Sequence, residues 1–485
     1  MFPSRPTTVS HAWVRSLAAG VPLALTLLSG CSHSPTLPAD PLLQAAQLHS
    51  EQSLLAQRHD SWPSQAWWQR YQDPQLNALM QELQADSPTL AVARARLLQA
   101  QGQARQAGAV QGPEIGANFG VNEQKLSYHN GNDFVPRDWN TYGSATLNFS
   151  YEFDFWGKNR AQIAAAQSSL AASEAEQADA RRVITTALLQ AYTELARLYA
   201  QQDTASEALH IREQTVQLFR QRHANGLETL GSVRQVESLQ AVAAGELLAV
   251  EEAIVRQRHA LAALLGKGPD RGLALTRPTL ALHGRFGLPA HAGIDLLGRR
   301  PDVTAARWQV EAAAQQVGVA ETLFYPNVSL SGFIGTQSLG LDNLSRSGSD
   351  AGSLGPAIYL PLFTAGRLEG QLDTARGRYQ EAVAHYNNTI TTALQQVADA
   401  HSGQQALQAR LTQAEAAVQA AEEAFNITNN RYRGGLATYL DVLSAEGSLL
   451  QSRQALVNLQ ARALTLDVEL VHALGGETLP TTALL

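Results

Sequence analysis

The only cysteine of the chain, Cys31, lies where a covalent lipid could be attached. Basic residues precede an apolar stretch, residues 17–28, and Ser29 and Gly30 come directly before the cysteine. This order of basic, apolar and small residues is typical of a secretory signal. With a cysteine at this position the spacing resembles a bacterial lipobox. We therefore expect residues 1–30 to be removed and Cys31 to carry a lipid, with no other cofactor.

The remaining sequence offers no chemistry of the kind that enzymes use. It contains no HExxH motif, no paired cysteines, no Gly-x-Ser-x-Gly turn and no phosphate-binding glycine loop. The net charge is −7, charged residues make up 16%, and no basic stretch is present. Because nucleic-acid-binding proteins need a basic surface, this balance argues against such a partner. We expect neither catalysis nor a metal site.

Two short segments predict tight turns between helices. They share a glycine, a leucine directly after it and a threonine two residues further on: Gly226, Leu227 and Thr229 in the first, Gly435, Leu436 and Thr438 in the second. Glycine permits the left-handed backbone that ends a helix, and threonine can cap the next helix. Each segment therefore predicts the tip of a helical hairpin.

The two turns belong to a duplication of about half the chain. Residues 88–117 align with residues 301–330 at an offset of 213, and residues 222–266 align with 431–475 at an offset of 209. This period is far above the 20–50 residues of solenoid repeats. A duplicated half-domain indicates a closed, pseudo-symmetric object with an internal two-fold repeat.

Long helices dominate both halves. Residues 74–112 predict a helix with Asp73 as its cap. Residues 160–224 contain no glycine or proline, which corresponds to roughly 97 Å of helix. Apolar residues follow coiled-coil spacing from Ile184 to Phe219, interrupted by Gln202 and Arg212. After the second turn the heptad pattern is stricter and predicts supercoiling.

Segments of alternating polarity lie between the helices. We predict strands near residues 114–125, 141–154, 327–337 and 353–362. Segments of about ten residues with this alternation are typical of transmembrane barrel strands. Since four strands cannot enclose an open lumen, several chains must contribute to one barrel.

Several motifs together resemble those of the TolC-like outer-membrane channels of tripartite efflux systems, in particular their lipid-anchored drug-efflux branch. They are WWQRYQDPQLNAL (67–79), FDFWGKNR (153–160), LGRRPDVTAARWQVEAAAQQVGVAETLFYPNVSLSG (297–332), LPLFTAGR (360–367) and RYRGGLATYLDVL (431–443). The resemblance covers nearly the whole mature chain.

The resemblance implies an α+β membrane protein. Three chains with four strands each would form one twelve-stranded transmembrane β-barrel, continuous with a long α-helical coiled-coil barrel in the periplasm. The implied partners are two further copies of the chain, outer-membrane lipid, a periplasmic adaptor (membrane fusion) protein and an inner-membrane pump of the resistance-nodulation-division type. By the same analogy, Ser32 after Cys31 favours the outer membrane.

The resemblance also assigns roles to the predicted hairpin tips. Leu227 and Leu436 would meet the adaptor, and Asp441 would line a periplasmic gate, where a trimer gathers three carboxylates. The alternative for Asp441 is a solvated first-turn aspartate favoured by the helix dipole. The matching position in the first copy is Ser232, which leaves a second acidic ring in question, although Glu228 is nearby.

The expected organisation is a signal peptide, a linker, two repeats and a short tail, at residues 1–30, 31–60, 61–287, 288–475 and 476–485. The favoured function is a passive exit duct for small toxic compounds. Two alternatives stay open at this point. One is a duct for type I polypeptide secretion, and the other is a lipid-anchored periplasmic coiled-coil scaffold without a channel.

Overall fold

The structure is a computed structural model that describes residues 42–43, 47–50, 52–54, 62–125, 127, 138–280, 287–289 and 298–476. The helices are α1 (Pro74–Asp86), α2 (Pro88–Gly108), α3 (Lys158–Ala224), α4 (Leu230–Leu264), α5 (Pro269–Leu273), α6 (Pro301–Thr322), α7 (Arg367–Arg433) and α8 (Tyr439–Ala473). The strands are β1 (Glu114–Lys125), β2 (Trp139–Phe153), β3 (Asn327–Leu339) and β4 (Asp350–Tyr359). Cys31 lies outside the described residues.

The predicted duplication is visible in the element boundaries. The helices α3 and α7 both contain 67 residues, and α4 and α8 both contain 35. The pair α2 and β1 starts 213 residues before the pair α6 and β3, which is the offset read from the sequence. The chain therefore uses one supersecondary plan twice.

The helix predicted over residues 74–112 is wrong in one respect, because the structure divides it. Helix α1 ends at Asp86, Ser87 has an extended ψ of 123°, and α2 begins at Pro88. Proline has no N–H to donate and disfavours the helical conformation of the residue before it, so the helix breaks there. The predicted cap is confirmed: the Asp73 side chain accepts from the backbone N–H of Leu76 at 3.0 Å.

The four strands form one antiparallel sheet in the order β1-β2-β3-β4. Alternate side chains lie on opposite faces. One face carries large, exposed apolar side chains, namely Ile115, Phe119, Leu147, Ile334, Leu354 and Ile358. The other face carries mainly serine, threonine, asparagine, glutamine and glycine. This division is the one expected for strands between lipid and water.

The polar interruption of the α3 seam has a partner in the second repeat. Arg212 lies with its Nε 2.7 Å from Oε1 of Glu446 on α8, and the Glu446 side chain is fully buried. The Thr215 hydroxyl donates to the other carboxylate oxygen at 3.4 Å. Arg212 is therefore one half of a buried ion pair that joins the two repeats.

The charged turn before α6 forms both local and long-range hydrogen bonds. The Arg300 guanidinium, with 2% of its side chain exposed, donates to Asp302 at 3.0 Å. It also donates to the backbone carbonyl of Ala473 at 3.0 Å and to Gln396 at 2.9 Å. Arg300 therefore fixes the end of α8 against α6 and α7.

His472, at the end of α8, fits its buried, arginine-rich surroundings only when its imidazole ring is neutral. Its Nε2 lies 3.0 Å from an Arg182 nitrogen, whose N–H can donate to it only when that ring nitrogen carries no proton. Burial, together with Arg182 and Arg300, lowers the pKa of His472 from 6.5 to about 3. When the pKa of a histidine is lower in the folded chain than in the unfolded chain, acidification protonates the unfolded chain first and therefore favours unfolding.

We expect the free energy of unfolding to fall as the pH is lowered, and we expect this fall to be smaller in the variant His472→Gln. The contribution of His472 is present above pH 6.5 and is lost as the pH falls toward 3. Between pH 7 and pH 4.5 this loss is on the order of 2 kcal/mol. Denaturation at both pH values, followed by circular dichroism, measures it. The same pH dependence in both proteins would contradict the assignment.

By contacts the chain forms two compact units, and each repeat contributes to both. The unit with the sheet contains the described residues within 107–165 and 313–379, and the helical unit contains the described residues up to 106, within 166–312 and within 380–476. In the described part of the chain, the helices include none whose length and hydropathy would suit a membrane span. The boundaries expected between the repeats stay predictions.

Candidate functional site at the hairpin tips

The first tip joins α3 to α4 and has the predicted geometry. Gly226 has φ +69°. The Leu227 N–H donates to the carbonyl of Arg222 at 2.8 Å, and the Gly226 N–H donates to His223 at 2.9 Å. This pair of bonds is the Schellman motif, which satisfies the last carbonyls of a helix. Thr229 then caps α4 by accepting from the Ser232 N–H at 3.1 Å.

The second tip joins α7 to α8 and repeats this geometry. Gly435 has φ +75°, and the Leu436 N–H donates to the carbonyl of Arg431 at 2.8 Å. No atom outside the turn lies within 4 Å of where a Cβ of Gly435 would stand. Glycine is therefore required by the backbone conformation and not by lack of space.

Both tips present apolar side chains at the surface of the chain. Leu227 is 62% exposed and Leu436 is 72% exposed. Leu230 and Leu440, one helical turn further on, are also exposed. Sequence reasoning assigned the first pair to docking and missed the second, although Leu440 is part of the RYRGGLATYLDVL motif. Exposed leucines at both tips can be buried by a partner that contacts them.

Asp441 takes part in a capping box at the start of α8. Its carboxylate accepts from the Thr438 N–H at 2.7 Å, while the Thr438 hydroxyl accepts from the Asp441 N–H at 3.3 Å. These bonds to Thr438, with a contribution from Arg431, lower the pKa of Asp441. The carboxylate is exposed and charged at neutral pH. Helix capping accounts for the aspartate, and the gate role stays a prediction.

Tyr432, near the end of α7, links the two hairpins, a role that sequence reasoning did not assign to it. Its hydroxyl donates to the carboxylate of Glu228 in the first tip. The Arg222 guanidinium lies 4.5 Å from the centre of its ring, and Phe219 stacks on the ring at 5.4 Å. Burial, together with Glu228, raises the pKa of the Tyr432 phenol. The hydroxyl therefore stays protonated and keeps donating.

The Glu228 carboxylate is held by partners from both hairpins. Its side chain is only 12% exposed and lies 3.8 Å from Arg222, in addition to its bond with Tyr432. Ser232 is buried and bonds to Thr229. Glu228 therefore joins the hairpins to each other. Across the described ranges no three His, Cys, Asp or Glu side chains come together as metal ligands.

Comparison with known proteins agrees with this architecture. The family model described as outer membrane efflux protein matches residues 79–267 and 294–476. VceC, an outer membrane protein of Vibrio cholerae, is 56% identical in sequence, with a TM-score of 0.81, over 86% of this chain and 100% of that chain.

Two curated relatives extend the comparison. The fusaric acid resistance protein FusA of Burkholderia cepacia is 35% identical over 76% of this chain and 70% of its own length. The pyoverdine export outer membrane protein OpmQ of Pseudomonas aeruginosa is 31% identical over 93% of this chain and 95% of its own length. Channels of this family are passive, are trimeric and work with adaptor and inner-membrane pump partners.

The family match, which confirms the resemblance drawn from the motifs, spans both repeats, including the strands and the two hairpins. The chain therefore belongs to the outer membrane efflux protein family and is an outer-membrane exit duct for efflux.

Proposed function

We propose that three copies of this chain form one duct that releases small toxic compounds across the outer membrane. The observation that carries the proposal is the open sheet, in which β1 and β4 are outer strands. Unpaired strand edges cannot remain in contact with lipid. Pairing of β4 with β1 of the next copy satisfies both edges and closes a twelve-stranded barrel with the apolar face outward.

Small molecules are the favoured cargo. The names of two relatives concern resistance to fusaric acid and export of pyoverdine, and neither name concerns secretion of a polypeptide. This supports drug-type efflux over type I polypeptide secretion. A scaffold without a channel would not need a sheet with one apolar and one polar face.

The exposed leucines at the tips support a docking role toward a periplasmic adaptor. An apolar tip on the duct can be buried against an apolar tip on the adaptor, which in turn holds the inner-membrane pump. We propose a pump of the resistance-nodulation-division type, since the chain resembles the drug-efflux branch.

Purified protein in mild detergent tests the duct directly. We expect the mass of a trimer that dissociates on heating, and discrete ion-conducting steps after insertion into a planar bilayer. A stable monomer that conducts, or a trimer that never conducts, would overturn the proposal. A scaffold without a channel would show neither a β-barrel nor ion conductance.

Asp441 is proposed as the gate residue. Asp441→Asn keeps the oxygen that accepts from Thr438 but removes the charge, so the cap remains largely intact while three like charges disappear from the trimer. We expect lower cation preference and weaker block by divalent cations in bilayer recordings. Asp270, exposed and in the first turn of α5, provides the matched control Asp270→Asn. If both variants match the unaltered protein, Asp441 serves only as a helix cap.

Lipidation of Cys31 is proposed as the anchor. Mass spectrometry of the mature N-terminus is expected to find Cys31 as its first residue, carrying acyl chains. Cys31→Ser behind another cleavable signal is expected to keep part of the efflux activity, because the barrel also holds the chain in the membrane. An unmodified Cys31 in the mature protein would contradict this proposal.

A further inference from the structure

One aromatic side chain departs from the polarity of its face of the sheet. Phe333 occupies the centre of β3, six residues from each end of the strand, which is roughly 20 Å along the strand in either direction. Its partners across the neighbouring strands are Asn148 and Ser353. The register therefore places the ring on the polar face, opposite to the apolar face that contains Ile334.

The neighbours of Phe333 on this face are small. Seven of the eight are serine, glycine, alanine or threonine: Ser331, Gly335, Thr146, Ser150, Ala351, Ser353 and Gly355. A phenylalanine among such neighbours rises above them, and its ring is half-buried in the chain. It is the one phenylalanine on this face of the four strands; the other large side chains with apolar parts are Tyr142, its partner Leu339, which is the last residue of β3, and Tyr359, the last residue of β4.

The same face is almost free of charge. Among Asp, Glu, Lys, Arg and His, the four strands place only Glu114 and Glu152 on this face, both at the strand ends next to the helices. Glu152 is already paired with Lys158 at 2.8 Å. A neutral surface does not select between anionic and cationic molecules. Near Phe333, the interaction of this face with a passing molecule therefore depends on the phenylalanine ring and not on charge.

We propose that Phe333 is a contact site for the aromatic rings of small organic molecules in transit, whatever their charge. This inference rests on the proposed duct, in which the polar face lines the lumen and three copies bring three rings to one level. Offset or edge-to-face contact with an aromatic ring is favourable but weak. Such a contact holds an aromatic molecule briefly without trapping it.

Single-channel recording of the purified, full-length protein tests this inference. Ethidium serves as an aromatic cation and tetraethylammonium as a cation without a ring. We expect Phe333→Leu, which keeps an apolar side chain, to shorten ethidium blocking events about two- to tenfold. Tetraethylammonium block should not change, and Phe333→Tyr, which keeps the ring, should restore the long ethidium events.

Leu354→Ala, on the apolar face of β4, provides the matched control and is expected to leave ethidium block unaltered. Ethidium events of equal length in Phe333→Leu and the unaltered protein would overturn the inference while leaving the duct in place. Equal shortening for both cations would also overturn it, since that result indicates a change in pore width. A protein that forms no conducting pore would instead refute the proposed duct.

Discussion

Replacing Arg212 with methionine is expected to lower the free energy of unfolding by about 3–5 kcal/mol. The Glu446 carboxylate, fully buried at 2.7 Å from the Arg212 Nε, would then have no opposite charge. Burial already raises the pKa of Glu446 in the presence of Arg212. Without the arginine, the folded chain can keep this carboxyl only by protonating it. Chemical denaturation followed by far-ultraviolet circular dichroism measures the loss.

The pH dependence of this variant has a defined sign. A carboxyl whose pKa is raised in the folded state favours folding below its unfolded pKa and opposes it as the pH rises. Arg212→Met should therefore lose more stability at pH 8 than at pH 5. The double variant Arg212→Met, Glu446→Leu removes both charges and should recover most of the loss. A single variant as stable as the double variant would contradict a buried ion pair.

The same pair shows where sequence reasoning reached its limit. The periodic seam of α3 predicted a packed helix, and Arg212 was visible only as an interruption of the pattern. Its partner Glu446 lies 234 residues further along the chain, and periodicity on one helix contains no information about a distant helix. The bond between Tyr432 and Glu228 was hidden for the same reason.

Local rules, by contrast, predicted the turns and strands well. Gly226 and Gly435 have the positive φ that the turn chemistry requires, and the threonines cap the following helices. The break at Ser87 was missed although Pro88 was visible in the sequence. The apolar pattern continues across it, and periodicity alone does not mark the point where a proline ends a helix.

Gly435→Val is expected to abolish most efflux while leaving the barrel assembled. With φ at +75°, a β-carbon costs about 1–2 kcal/mol, and a β-branched side chain more. The turn would relax toward negative φ and break the bond from the Leu436 N–H to Arg431. Leu436, which is 72% exposed, would then point away from its docking position. Drug susceptibility of cells with the complete pump measures the effect.

Two further substitutions separate strain from the loss of glycine as such. Gly447→Val, within helix α8 at a site with no crowding, introduces the same side chain without positive φ and should leave efflux intact. Gly435→Asn, which tolerates the left-handed conformation, should retain most activity. Leu436→Asp should keep the turn but weaken capture of the adaptor, because a charge enters a surface that docking buries. If Gly435→Val and Gly447→Val cells tolerate drugs equally, the backbone of this tip does not control docking.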